Sequence, residues 1–529
     1  MIVKKFIRLN WVIIVILVFA VVLRFWRLEE LTTFGGDQGY DFLVVKKILE
    51  GDLTLLGPKI GPYNKIGNLY LGPAYYYLLA PFLFIFREDP IGGAVLTALL
   101  SIFAIFVIYE LSRKFFSKEV GFIASLIYAF NSFLINQSRA PSNPHLIPFF
   151  SILTTYSVLM IIIKNSKSIL WPICAGLSLG IIFQLHYLAS SLLIVSLLFL
   201  VLAKKFKSAL YTIVSFIVLI SPQILFELRN QFFISSLVIK QLKYGQEISK
   251  QDIFLKSIFD STKSLYSTLI FSNFILIAVS LIFALIAIGI LIKKNNKLAP
   301  LFLFLPIPLN IIFASLYSAG QPLHYFSTIY PNVAILAGLI FITVYSKRAK
   351  TPAFKQRRSW NPRSEGRENH SLQAVGIYKK YKKSIFVRAI IVMFLLIYLI
   401  LNLSNLKLSR KEGYTMPNGW NLTGMKSASH IIANDASPND KFNIAATLDG
   451  DTRAMPYRYL VEVYGKHPFG VEKYPQADSI YLISRDSQEQ IDKYSVWEIS
   501  SFKPFEISRR WEIQNGIKLY KLVKAQKES

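Results

Sequence analysis

Residues 11–25 read Trp-Val-Ile-Ile-Val-Ile-Leu-Val-Phe-Ala-Val-Val-Leu-Arg-Phe, with Lys4, Lys5 and Arg8 before them and Trp26-Arg27 after. As a helix this run is apolar on every side, so a bilayer or a protein core must surround it. A basic start and an apolar stretch also describe a signal peptide. No small-x-small cleavage site follows, only Arg24-Phe25-Trp26-Arg27, so the reading is a retained first span over about 10–27. Comparable runs recur at Phe274–Ile292 and Ile385–Leu401, each long enough as a helix to cross a hydrocarbon core about 30 Å thick.

Composition agrees. Of 529 residues, 53% are hydrophobic and only 17% charged, too little charge to wet the surface of a soluble chain this long. The net charge of +28 sits in patches at alternate span ends. These are Lys4, Lys5 and Arg8; Arg113, Lys114 and Lys118; Lys164 and Lys167; Lys204, Lys205 and Lys207; Lys293, Lys294 and Lys297; and the run Lys347–Lys383. That is the positive-inside pattern, which puts the N-terminus on the inner side and argues against nucleic acid as a partner. Cys174 is the only cysteine, so neither a disulfide framework nor a cysteine metal site is expected.

The further spans read as about 91–111, 120–136, 147–163, 168–185, 188–203, 208–226, 266–292, 298–317, 323–346 and 385–405. The apolar stretch Tyr75–Phe86 is short for a span and reads as an interfacial or re-entrant helix; counting it would place every basic cluster outside. The first outer loop, about 28–90, holds eight acidic residues against five basic ones and is rich in Gly and Pro, as functional loops are. A second outer loop, about 227–265, carries amphipathic stretches such as Phe232–Ile239. The basic inner loop 347–384 would meet anionic membrane lipids.

After the last span the composition is that of a soluble domain. Phe442–Leu448, Ser479–Ser484 and Ile517–Val523 read as strands and Thr452–Tyr464 as a helix between the first two, a small α/β unit. The expected fold is an all-α polytopic bundle of about eleven spans plus an interfacial helix. Its divisions are 1–346, the inner loop 347–384, the last span 385–405 and an outer domain 406–529. No internal repeat is evident.

Four polar clusters lie at outer span ends. The first, Gly35-Gly36-Asp37-Gln38-Gly39-Tyr40-Asp41, joins a turn that glycine permits to carboxylates; Asp37 suits either a general base or a cap for a helix starting near Tyr40. The second runs from Asn136 to His145 and includes Arg139 and Asn143. Arg139 has the planar fork that binds phosphate, or serves as an interface anchor. The third is Gln184-Leu185-His186-Tyr187 and the fourth Gln321-Pro322-Leu323-His324-Tyr325-Phe326. Their histidines suit a phosphate, a proton or an interface hydrogen bond, and no spacing makes a convincing metal site. Together the clusters face both the outer leaflet and the outer aqueous space.

In their order these residues resemble the membrane glycosyltransferases of the GT-C class. The resemblance rests on Gly36-Asp37-x-x-Tyr40 after the first span, Gly72-Pro73-Ala74-Tyr75-Tyr76-Tyr77-Leu78-Leu79 opening an apolar segment, and Ser138-Arg139 in the second outer loop. His324-Tyr325-Phe326 with Tyr330-Pro331 is similar to a late span start of the branch containing protein O-mannosyltransferases and lipid A aminoarabinose transferases. It covers about 10–346 and makes that part a GT-C-like catalytic region.

The resemblance implies inverting transfer of a sugar from a polyprenyl-phosphate donor to a lipid, glycan or protein acceptor on the outer face. Asp37 would be the base. Asp41, Lys59, Lys65, Arg139, Asn143, His145, Gln184, His186, His324 and Tyr325 would bind substrate. Gln38 stands where the family has a neighbouring acid, and Leu71-Gly72-Pro73 where a lysine often precedes the tyrosines; Lys59 or Lys65 would replace that lysine. The second-loop acid is also missing, with Asn143 nearby. No cofactor is evident and a divalent cation stays open. Two rival classes stay open as well. A secondary transporter would need ionisable residues near span centres, of which there are few. A non-catalytic glycan-assembly protein would use the outer domain for binding alone.

Overall fold

The computed structural model describes residues 2–60, 69–248, 251–270, 289, 298–316, 322–349, 389, 391–437, 439–448 and 450–525. The apolar runs form helices: α1 (Ile2–Phe25), α2 (Gly36–Leu49), α3 (Ala74–Ile85), α4 (Ile91–Phe115), α5 (Lys118–Phe130) and α6 (Ile147–Ile162). They continue as α7 (Leu170–Leu185), α8 (Ser190–Leu202), α9 (Phe206–Arg229), α10 (Phe233–Ile248), α11 (Gln251–Leu269), α12 (Pro306–Leu316) and α13 (Tyr330–Ala349).

Among the described residues, Ile91–Phe115, Asn143–Ile162, Phe206–Arg229, Leu298–Leu316 and Leu323–Ile340 are long and apolar enough to cross a membrane. Trp11–Phe25, Ala74–Ile85, Leu170–Leu185, Tyr187–Leu202 and Ile391–Asn405 are shorter apolar helices. The expected span 266–292 falls mostly outside the described residues, as does the loop 347–384 apart from its first residues.

Local chemistry changes two expectations. The stretch 120–136 is not one helix: Asn131 takes an extended ψ of 120° and its side chain accepts from Leu134 N at 3.0 Å, ending α5 and starting a short helix, Ser132–Gln137. Asn131 Nδ2 donates to the Thr268 carbonyl at 3.0 Å, which ties the break to α11. The second outer loop folds as helices α10 and α11, so its amphipathic pattern is helical rather than loop-like.

Close helix packing follows small residues. A Cβ on Gly176 of α7 would lie 2.3 Å from the Thr212 carbonyl of α9, and one on Gly180 would lie 2.9 Å from Leu219 Cβ. This small-xxx-small seam lets two backbones approach where lipid offers no hydrophobic drive. The opposite side of α9 exposes Leu210, Val214, Ile217, Val218 and Leu225, as a lipid-facing surface does.

Beyond the helix at 391–405 lies the C-terminal domain. It contains α14 (Leu422–Asp435), β3 (Phe442–Ala446), α15 (Met455–Val463), β4 (Ser479–Ser484), β5 (Phe505–Gln514) and β6 (Ile517–Lys524). The strand order is β3-β4-β6-β5, with β3 and β4 parallel and the other pairs antiparallel. The expected strands are present. The helix between β3 and β4 is shorter than 452–464, because Ala454 at φ 58° breaks the backbone before Pro456 opens the first turn. Both α14 and β5 are additions to the sequence reading.

This domain docks on the first loop. α15 crosses α2 where Gly39 lies, and a Cβ there would sit 2.3 Å from Pro456 N and 2.4 Å from the Met455 carbonyl carbon. Tyr459 packs edge-on against Phe34 and Phe42, at centroid distances of 6.0 and 5.4 Å, and its hydroxyl donates to the Glu88 carbonyl. Lys426 of α14 pairs with both Glu29 and Asp89 at 2.7 Å.

Gly39→Ala is expected to destabilise the chain. Backbone contacts at Gly39 cannot yield as a side chain would, so overpacking should cost about 1–3 kcal/mol, against a gain in helix propensity of up to about 1 kcal/mol. A fall in the thermal midpoint in detergent is the expected reading; a rise would mean that α15 does not press on α2.

Candidate functional site

Two groups of polar residues emerge, one around the start of α2 and one around the exit of α7. The α2 group begins with its cap. Gln38 Oε1 accepts from Gly35 N at 2.9 Å, so the residue standing in place of a second acid holds the helix start. The helix begins at Gly36, ahead of the start near Tyr40 that a capping role for Asp37 would require. Asp37 therefore lies inside the first turn, where the helix dipole favours its charge.

Asp37 keeps an open face. Its pKa is nonetheless raised, first by the protein mass around its carboxyl and second by the neighbouring Asp451, while Arg453 acts in the opposite sense. Asp451 and Arg453 belong to the loop between β3 and α15. A Cβ on Gly36 would fall 2.2 Å from Asp451 Oδ2, so glycine is what lets this carboxylate settle on the α2 backbone. Arg453 Nε donates to Asp451 Oδ1 at 2.7 Å.

One turn along, Asp41 is buried and accepts from the Tyr76 hydroxyl at 2.9 Å. Burial pushes its carboxyl up to about 8; Tyr76 pulls the other way and Asp37 adds to the rise. Lys59, from the two-residue hairpin β1 (Lys59–Ile60) and β2 (Leu69–Tyr70), lies 5.2 Å from the Tyr40 ring centroid and 5.8 Å from that of Tyr70. The hairpin thus delivers a cation beside the residue three after Asp37. Lys65 lies outside the described residues.

The second group gathers three rings. His186 lies 5.0 Å from Tyr325 and 6.1 Å from His324, and His324 lies 5.0 Å from Tyr325. His186 Nδ1 accepts from Leu188 N at 3.2 Å, which leaves Nε2 as the proton-bearing nitrogen. His145 sits in the turn Asn143–Leu146, which packs against the turn Leu323–Ile329, and its Nδ1 is 2.7 Å from the Ala140 carbonyl.

The other nominated residues are held by backbone. Asn143 donates to the Leu185 carbonyl at 2.8 Å. Gln184 accepts from Ala74 N at 3.2 Å and donates to the Leu219 carbonyl at 2.9 Å, so both ends of its amide tie helices together. Arg139 is buried, donates to the Leu23 carbonyl of α1, and has its Nε without a partner among the described residues. Residues 69–72 join the two groups: Tyr187 donates to the Tyr70 carbonyl at 2.5 Å and Gly72 N to the Gln184 carbonyl at 3.2 Å.

The sequence reading nominated none of Asp451, Arg453 and Tyr76 for the site. Tyr76 stood in a quoted motif but gave no sign of its partner. For Asp451 and Arg453 the one signal was their place at the end of a parallel strand before a helix, where α/β units put their ligands. Among the described residues no three His, Cys, Asp or Glu side chains come together as a metal site.

Asp41 makes stability pH-dependent. Its folded pKa of about 8 lies above the ordinary 3.8, so between these values the fold holds a proton that the unfolded chain has released. The contribution is full below the ordinary value and is lost as pH rises through about 8. Asp41→Asn should therefore melt higher than the parent above pH 8 and show no gain near pH 4, as thermal scans across pH would show.

Residues 71–226 match the family model described as dolichyl-phosphate-mannose-protein mannosyltransferase. ArnT from Cupriavidus metallidurans bound to undecaprenyl phosphate superposes with a TM-score of 0.60 at 11% identity, covering 97% of this chain and 98% of that one. Its apo state gives 0.59 at 12% identity over the same shares. The Archaeoglobus fulgidus oligosaccharyltransferase in complex with Zn and sulfate gives 0.50 at 11% identity, covering 89% of this chain and 67% of that one. A comparison with curated proteins gave no match. At these identities the structural likeness is one of fold. With its helical bundle, apolar helices and C-terminal sheet domain this chain is similar in fold to ArnT, and its residues 71–226 are similar to the mannosyltransferase family.

Proposed function

We propose that this chain transfers a sugar from a polyprenyl-phosphate-linked donor to an acceptor on the outer face of the cell membrane, inverting the anomeric carbon. The observation that carries this reading is Asp37, an open carboxylate at the start of α2 with a raised pKa, set among Tyr40, Lys59 and Arg453. The mannosyltransferase match over 71–226 and the undecaprenyl phosphate in the similar ArnT structure support the donor class. The N-terminus and the loop 347–384 lie inside, and residues 406–529 outside, because the basic clusters then all face inward.

In this mechanism the acceptor oxygen attacks the anomeric carbon as Asp37 takes its proton. The bond from that carbon to the phosphate oxygen breaks on the opposite side, and the polyprenyl phosphate leaves with the electron pair. In this reading Lys59 and Arg139 meet its charge, and His186, whose Nδ1 accepts from Leu188 N, donates a hydrogen bond from Nε2. His145, His324, Tyr325, Gln184 and Asn143 shape that end of the site, with Asp41 beneath Asp37. The acceptor is a lipid, glycan or protein whose hydroxyl or amine reaches Asp37.

Asp37→Asn in proteoliposomes, assayed with radiolabelled undecaprenyl-phosphate mannose, should lose about 100- to 10,000-fold in transfer rate. In the parent, activity should fall as pH drops through the raised pKa of Asp37, above the range of an ordinary carboxylate. Transfer undiminished in Asp37→Asn would sink the assignment.

A further inference from the structure

Asp451 and Arg453 lie some four hundred residues after Asp37 in sequence, yet they frame it. Three observations show that this is built rather than incidental. The Asp451 carboxylate lies on the Gly36 backbone, its Oδ2 2.2 Å from where a Cβ would stand. Arg453 holds Asp451 through two side-chain bonds, Nε to Oδ1 at 2.7 Å and a terminal nitrogen to Oδ2 at 3.3 Å, a forked geometry that fixes both groups.

The third observation is the anchor beneath the loop. Arg458 of α15 is buried, and its guanidinium donates to the carbonyls of Arg453 and Phe469 at 2.6 Å, to the Ile444 carbonyl at 3.2 Å and to the Tyr474 hydroxyl at 2.9 Å. It also donates to Asn443 Oδ1. One buried cation thus pins the Arg453 backbone to the edge of β3, so the loop cannot drift from β3 without leaving those carbonyls unpaired.

We propose that the transfer site is composite: the C-terminal domain lays Asp451 and Arg453 against the turn that carries Asp37, as positioning residues for that carboxylate. The C-terminal domain is then a working part of the site and not a separate binding module. This inference rests on the reading of Asp37 as the base.

The groups facing Asp37 are Asp451 and Arg453 from this loop and Asp41 from its own helix, with Lys59 of the hairpin beside Tyr40. Asp451 favours the protonated carboxyl and Arg453 the ionised one, so removing them has opposite consequences. A carbodiimide reacts with protonated carboxyls, and its modification of Asp37 against pH, followed by peptide mass spectrometry on the full chain in detergent, reports that protonation without any substrate. Asp451→Asn should move the midpoint to lower pH and Arg453→Gln to higher pH. A midpoint unchanged in both variants, or moved the same way in both, overturns the proposal. Should Asp451→Asn fail to fold, Arg453→Gln decides alone: an upward shift supports the composite site, and any other result overturns it. Loss of transfer in Asp37→Asn with midpoints unmoved would remove the composite site and leave the base in place. Full transfer in Asp37→Asn would remove the base itself, whatever the midpoints do.

Discussion

The crossing of α15 over α2 at Gly39 is the constraint on which the rest of the structure depends. Two backbones meet there with no Cβ between them, and the same approach brings Asp451 down on Gly36. Around that contact the chain uses large side chains and charge: Tyr459 wedged against Phe34 and Phe42, and Lys426 between Glu29 and Asp89. A side chain at Gly39 would press on the α15 backbone, and one at Gly36 would displace the Asp451 carboxylate.

Within the bundle the polar residues do a second kind of work. Asn131 breaks a helix and ties the break to α11, and Gln184 joins α3 and α7 to α9 through backbone groups. Such bonds are needed where lipid offers no water to satisfy a freed carbonyl or amide. Several residues that suggest chemistry by type are engaged in this way. Asn143 and Gln184 are among them, while the rings of His186, His324 and Tyr325 meet one another.

Much of the fold was legible because its signals are local. Apolar length located the helices, and the strands Ser479–Ser484 and Ile517–Val523 stood out by alternation. The strand β5 carried a readable signal that the reading did not use: Asn515-Gly516, both at positive φ, is a two-residue turn flanked by alternating residues. Arg509, Arg510 and Glu512 on its exposed side hid the strand among polar residues. The break at Asn131 was masked because the apolar run continues on both sides of it. The glycine turn that carries Asp37 beside a span was likewise legible. The partnership of Asp41 with Tyr76, and of Asp37 with Asp451, was not, since pairing across long separations leaves no periodicity.

The distance in sequence between Asp37 and Asp451 also orders events in time. A ribosome releases the first loop early and the β3–α15 loop late, after the described apolar helices have emerged. A nascent chain can hold its bundle in the membrane with the Asp37 turn uncovered throughout synthesis. The two carboxylates meet only when the C-terminal sheet has folded and settled on the first loop.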